Sequence, residues 1–259
     1  MGGTFQELVL LSGLCRSEAI VLKSHRLKEA DLIAVLYTRS FGRLSGVAKG
    51  ARRPRSQFMG RLEPLSLGEV VFFARAGGEL VSIDSIDLVQ SCAQKTADYR
   101  CLMQLSFLAE LVANTTPERE PNDPLFRLLR VVLPQLTQPA TADLAQLYFE
   151  IWHLKLAGFF PNHRHCHHCG QMLESAATVT VASDLRRFLC GQCSEASSHT
   201  LSREALDLLD GICRCLLSDL YARVPEPAPI QELGGIVEPL LERSFERTFQ
   251  SLRLIPNTA

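Results

Sequence analysis

Two sets of residues in this chain have the types and spacing to do chemistry. One is Cys166-x2-Cys169 followed, after twenty residues, by Cys190-x2-Cys193. Each C-x-x-C pair can turn two thiolates onto one metal from a single tight knuckle, and the intervening stretch is long enough for a two-strand excursion that returns the second pair opposite the first. Gly170 follows the first pair and Gly191 lies inside the second, where such turns need small residues. The other set is Lys49-Gly50-Ala51-Arg52-Arg53-Pro54-Arg55, four cations in seven residues with no acid among them. Gly50 and Pro54 hold it out of regular structure, so it reads as a loop presenting positive charge to phosphate.

Structural zinc, catalytic zinc and a redox or iron-sulfur centre compete for the cysteines. Four cysteines fill a tetrahedron, whereas a catalytic zinc keeps a position for water. Deaminase chemistry needs H-x-E, and no His here is followed two residues later by Glu. Thioredoxin-type chemistry uses one C-x-x-C beside a βαβ unit. One structural zinc ion on Cys166, Cys169, Cys190 and Cys193 is the expectation. His163, His165, His167 and His168 crowd the first pair, and a role around the ligands or in solvent suits them better than ligation. The other five cysteines are scattered and read as small buried hydrophobes.

Charge is divided unevenly. Arg16 to Arg61 holds eleven Lys or Arg against three acids, a local net of +8 in a chain of net −1, which leaves −9 for the remainder. Such a division suits a module that faces a polyanion joined to one that serves packing and partners. There is no G-x-x-x-x-G-K-[ST], H-E-x-x-H or G-x-S-x-G, so no known catalytic signature accompanies these features and a binding protein rather than an enzyme is expected. No apolar run is long enough for a membrane span and the start lacks a signal peptide's positive region, so a cytoplasmic protein is expected.

The elements that must position these residues fall into two groups. Residues 1–14 read as an extension. From 15 to 90, short apolar runs at Ala19–Leu22, Leu32–Tyr37, Leu44–Ala48, Glu69–Ala74 and Leu80–Leu88 read as five strands, with Ser40-Phe41-Gly42 and Ala76-Gly77-Gly78 as hairpin turns. Five short strands with the longest break between the third and fourth predict a small closed barrel of the OB type, which binds nucleic acid across strands two and three. From 91 to 259 the pattern is helical: Leu102, Leu105, Ala109 and Val112; Leu125, Leu128, Leu129 and Val132; Leu144, Leu147, Tyr148, Ile151 and Trp152. A metal-binding insert spans about 160–200. Ser202 caps a further helix with Leu208, Leu209, Ile212 and Leu216 as its stripe, and a last helix is expected over Ile236–Leu252. The fold class is α+β, a barrel followed by a helical domain carrying a four-cysteine zinc module.

With these residues assembled, the chain resembles the bacterial recombination mediator RecO family. The matching words are Glu18-Ala19-Ile20-Val21-Leu22-Lys23, Glu29-Ala30-Asp31-Leu32, Phe41-Gly42-Arg43-Leu44, Val47-Ala48-Lys49-Gly50-Ala51-Arg52-Arg53-Pro54 and Leu62-Glu63-Pro64-Leu65, with Gly158-Phe159-x-Pro161 and the four cysteines in the second half. The resemblance implies a non-enzymatic, nucleoid-associated DNA-binding protein. Such a protein takes single- and double-stranded DNA, anneals complementary strands, and with RecR loads recombinase onto DNA coated by single-strand binding protein. It would also dock that coating protein's acidic C-terminal tail.

On that footing the DNA-binding candidates are Lys23, Arg26, Arg39, Arg43, Lys49, Arg52, Arg53, Arg55 and Arg61, with Phe41 and Phe58 as base-stacking aromatics. Arg127, Arg130 and Lys155 are the candidates for the tail. The alternative is a zinc-ribbon regulator or adaptor that binds RNA or a duplex operator, and a third reading is a thiol oxidoreductase.

Overall fold

The computed structural model describes residues 13–92, 95–222 and 226–256. Strands β1 (Gly13–Arg26), β2 (Leu32–Thr38), β3 (Gly42–Ala48), β4 (Ser66–Ala74) and β5 (Val81–Ser91) close on themselves in the order β1-β2-β3-β5-β4. The long β1 makes the closure possible. Its first half pairs with β4 and its second with β2, and a bulge between Val21 and Lys23 bends it from one to the other. The remaining seam is a short parallel pairing of Gly46–Ala48 with Val81–Ile83. Gly46 is what permits it, since a Cβ there would stand 2.8 Å from both Val81 and Ile83 side chains.

Alternation sets the interior. In β3 every second residue is buried, and Leu44 and Ala48 join Ala19, Val21, Ala34, Leu36, Val70, Phe72, Ile83 and Ile86 in the core. The expectation of an extension through Leu14 falls for residues 1–12 outside the described residues. Gly13 and Leu14 themselves belong to β1, paired with Ala74 and Phe73.

Helix α1 (Tyr99–Thr115) is capped by Asp98, whose carboxylate accepts from Cys101 N. Helix α2 (Asp123–Val132) is capped by Asn122 and carries Pro124 at its start. Both pack with the barrel. Phe126 of α2 stacks on Tyr37 with 6.3 Å between ring centroids, and α1 lies against β1, while its Phe107 meets Phe249 of the C-terminal stretch edge-on at 5.7 Å. The chain divides into two compact units, residues 1–142 with 249–259 and residues 143–248. The expected break at 90/91 is therefore not where packing divides the chain. Helical periodicity marked the change of grammar correctly, but periodicity carries no information about which core a helix joins.

The second unit contains most of α3 (Pro139–Leu156), a three-stranded sheet of order β7-β6-β8 (Phe188–Cys190, Val179–Val181, His199–Leu201), and helices α4 (Arg203–Arg214), α5 (Leu217–Tyr221) and α6 (Pro227–Phe245). Ser202 caps α4 as expected, accepting from Ala205 N while its own N–H and hydroxyl donate to Glu232. Trp152 donates from Nε1 to the Ile212 carbonyl at 2.9 Å, a packing role.

Two expectations are corrected. Leu216 is 69% exposed and stands at the start of α5, because α4 ends at Arg214 before the stripe reaches it. The last helix begins at Pro227 and ends at Phe245: prolines are tolerated in a first turn, whose N–H groups have no intrahelical partner, and Glu246 takes a left-handed φ of 53° that stops the helix. No helix among the described residues is long and apolar enough to cross a membrane.

Candidate nucleic-acid interface and metal centre

The stretch from Lys49 to Leu65 has no regular structure, yet it is held throughout. Gly50 N donates to Asp31 Oδ1 at 2.8 Å and Arg52 N to the Ala30 carbonyl at 3.0 Å, so the loop leans on the β1–β2 turn. Further along, Phe58 and Leu62 plug into the barrel core, Gln57 reaches the Asp84 carbonyl and Arg61 the Ile86 carbonyl. The chain's own hydrogen bonds thus fix the backbone, and the charged ends are left over. Among the described residues Lys49, Arg53 and Arg55 are exposed and make no ion pair, and the same holds for Lys23 and Arg26 at the end of β1. Arg52 spends one N–H on the Glu29 carbonyl. Register places Arg26 and the start of the loop at one end of the barrel, since Arg26 pairs with Leu32 and Leu32 with Ala48, and puts Lys23 three residues further along, opposite Val35.

The opposite end is different. Arg43 donates from Nε to the Thr116 carbonyl at 2.9 Å and pairs with Glu118 at 3.2 Å, while Arg119 N donates to the Arg43 carbonyl. Residues 116–120 lie so close that a Cβ at Gly42, whose φ is +66°, would fall 2.3 Å from the Glu120 carbonyl oxygen. Arg39 lies between Glu18 at 2.8 Å and Asp123 at 2.6 Å. Those two carboxylates, Glu18 foremost, raise its affinity for the proton, and Arg39 in turn is the main reason the Asp123 carboxyl titrates below its ordinary range. Arg61 is intermediate, 3.6 Å from Asp87.

The four cysteines meet as their spacing requires. All four Sγ atoms lie within 4.8 Å of one another, and Cys169 and Cys190 are 3.8 Å apart. With metal–sulfur bonds of about 2.3 Å, a tetrahedral zinc site has sulfur–sulfur edges of about 3.8 Å, so the donor set fits such an ion. The first knuckle is closed by Gly170 N donating to the Cys166 carbonyl, with Gly170 at φ +75°. The second is delivered by β7, which pairs with β6 in the two-strand excursion.

Burial works against ionisation of Cys166, yet backbone N–H groups of Cys169, Cys190 and His168 aimed at its sulfur outweigh it and bring the thiol down to about 6. Burial and hydrogen bonds from the other thiols push Cys193 the opposite way. His165, His167 and His168 are exposed and stand outside the cluster, and His163 packs on Phe160 and Phe188.

Comparison with known proteins gives the family. The family Recombination protein O N terminal matches residues 12–92, and Recombination protein O C terminal matches residues 96–253. The chain belongs to the RecO family. It is 35% identical to the DNA repair protein RecO of Koribacter versatilis, over 93% of this chain and 98% of that one. It is 33% identical to the protein of that name from Streptomyces griseus over the same shares, and 31% identical to that of Geobacter metallireducens over 93% and 96%. The two family matches meet where the barrel gives way to helices, although the compact unit around the barrel extends to residue 142.

For this RecO chain several expected contacts need correction. Phe58 is 5% exposed and belongs to the barrel core, and Phe41 is half-buried with its ring edge-on to Phe72 at 5.3 Å. Neither is a free stacking platform, because a barrel this small needs aromatic volume from its loops to fill its ends. Arg39 and Arg43 are engaged by carboxylates and a carbonyl. Of the partner candidates, Arg127 pairs with Asp123 at 2.9 Å and Arg130 with Glu18 at 2.8 Å, while Lys155 lies over the Trp152 ring at 4.5 Å. Nothing in the sequence marks Glu18, Asp31 and Asp123 as the partners of these groups. Asn122-Asp123-Pro124 is a helix-start signal, but nothing in it says which arginine the aspartate will meet.

Proposed function

We propose that this chain is a DNA-binding mediator of recombination in DNA repair, and that it binds through the loop end of the barrel. One observation carries the reading: the Lys49–Arg55 backbone is fixed by contacts to the β1–β2 turn while Lys49, Arg53 and Arg55 remain without acidic partners, beside Lys23 and Arg26. Cations preorganised in this way favour phosphate without reading sequence. The strand order β1-β2-β3-β5-β4 with a parallel β3–β5 seam supports an OB-type barrel. On its outer wall the pairs Ile33–Val47 and Val35–Ser45 form a half-exposed, largely apolar strip running from the basic end.

The mediator takes single- and double-stranded DNA, anneals complementary strands, and works in the cytoplasm with RecR and the acidic tail of single-strand binding protein. The cysteines hold one structural zinc ion, which organises residues 160–200. The relatives named DNA repair protein RecO support this role for the whole chain, since the match covers nearly all of both proteins.

The test is fluorescence anisotropy of labelled single strands and duplexes across a salt series, with duplex formation between complementary strands followed in parallel. The wild type is expected to weaken steeply with salt and to accelerate annealing. An Arg53→Glu/Arg55→Glu protein that binds and anneals like the wild type would remove the loop from the mechanism. Binding confined to RNA or duplex, without annealing, would favour a zinc-ribbon regulator instead.

A further inference from the structure

At the end of the barrel away from the basic loop, five charged side chains form an alternating row. Arg127 Nε meets Asp123 Oδ2, Asp123 Oδ1 meets Arg39 Nε, Arg39 Nη1 meets Glu18 Oε2, and Glu18 Oε1 meets Arg130 Nη1, with every contact between 2.6 and 2.9 Å. Each carboxylate thus divides its two oxygens between two arginines. Three guanidinium groups face two anions, so the row keeps one positive charge. None of the five is buried: the arginine side chains are 41% to 64% exposed and the carboxylates 38% and 41%.

Exposed pairs of this kind hold weakly, each worth at most a factor of roughly five. Guanidinium groups take phosphate oxygens by the same charge-assisted hydrogen bonds that they make to carboxylates. We infer that Glu18 and Asp123 act as a latch, standing in for the phosphates of a nucleic-acid strand that displaces them from Arg39, Arg127 and Arg130.

The inference rests on the reading of the loop and strip given above and adds their far end. β2 spans Leu32–Thr38, roughly 20 Å at about 3.3 Å per residue, with the free cations at its start and Arg39 just past its finish. A strand along the Ile33–Val47 strip reaches the row only after leaving the loop, so the latch yields to long strands and stays shut on short ones. A nucleic acid is favoured over an acidic protein segment because the row lies one β2 length from cations suited to phosphate, with Tyr37, covered by Phe126, between them.

Affinity is measured against salt for long and short single strands with three proteins beside the wild type: Glu18→Gln/Asp123→Asn, Arg127→Gln, and Arg53→Glu/Arg55→Glu. The double amide variant is expected to bind long strands several-fold more tightly and short ones no differently. Arg127→Gln, whose ion pair is with Asp123 one turn back, is expected to keep the wild-type melting curve and to lose about 0.7 from the log–log salt slope for long strands. Unchanged or weaker binding of long strands by the amide variant, or an unchanged slope in Arg127→Gln, overturns the latch; if the loop variant has nonetheless lost binding, the loop reading survives. Wild-type binding by the loop variant rejects that reading, and the latch as its far end falls with it.

Discussion

Two irregular stretches of this protein reach order by different routes. The Lys49–Leu65 loop is fixed by the chain itself, through Asp31 and the Ala30 carbonyl at its start and through Phe58 and Leu62 sunk in the barrel at its middle. The Cys166–Cys193 segment carries short strands of three residues and four thiols drawn to within 4.8 Å, a geometry that suits an ion. The difference shows in what each stretch has left over. Because hydrogen bonds and apolar burial hold the loop, its cations are free to meet a ligand. In the cysteine segment the groups drawn together are the four thiols themselves, a donor set that could hold a metal ion.

The sharpest way to break this contrast is to remove two of the four thiols. In Cys166→Ser/Cys190→Ser protein the metal is expected to be absent from elemental analysis. Calorimetry is expected to show residues 143–248 losing their transition, since structural zinc contributes on the order of 10 kcal/mol in isolated fingers. A full equivalent of zinc with unchanged melting would show that the segment is self-supporting like the loop. For the loop, Phe58→Ala is expected to cost about 3–5 kcal/mol in urea unfolding, because a fully buried ring leaves a cavity at the barrel end.

Charge reversal separates holding from binding. Arg53→Glu/Arg55→Glu is expected to leave the unfolding curve within about 0.5 kcal/mol of wild type, as surface substitutions do. Its salt slope for single strands is expected to fall by roughly 1.4, at about 0.7 per lost phosphate contact. A smaller effect on binding belongs to Asp31→Ala, which removes the acceptor for Gly50 N and is expected to cost about 1 kcal/mol of stability with a modest loss of affinity, read in the same two assays. If Asp31→Ala abolished binding while stability held, the aspartate would be serving the ligand rather than the loop.

Burial adds a pH signature to the second unit. Glu150, in α3, is fully buried beside Gln146 and close to the Glu238 charge, and desolvation carries its carboxyl well above the usual range. A group raised in this way lends stability that is complete below its unfolded pKa and is lost as pH rises through the folded value. Glu150→Gln is expected to flatten the fall in stability that otherwise sets in as pH rises above the ordinary glutamate pKa of about 4.3, measured by urea unfolding.

The sequence by itself determined most of the strands and the longer helices, because apolar alternation and helical periodicity are local, and it determined which four cysteines would meet, because C-x-x-C pairs specify geometry within a turn. It also named the basic loop, since glycine and proline there forbid anything regular. What only the tertiary structure decided is which charges are spent. Arg39 and Arg53 look alike along the chain, yet Arg39 meets Glu18 and Asp123, the latter from a helix eighty-four residues away, and Arg53 meets no acid. The same holds for Phe58, which reads as a loop aromatic and is core, and for α1 and α2, which read as part of a separate helical domain and pack with the barrel. Pairing and packing join residues distant in sequence, and no local pattern of residue types records the partner.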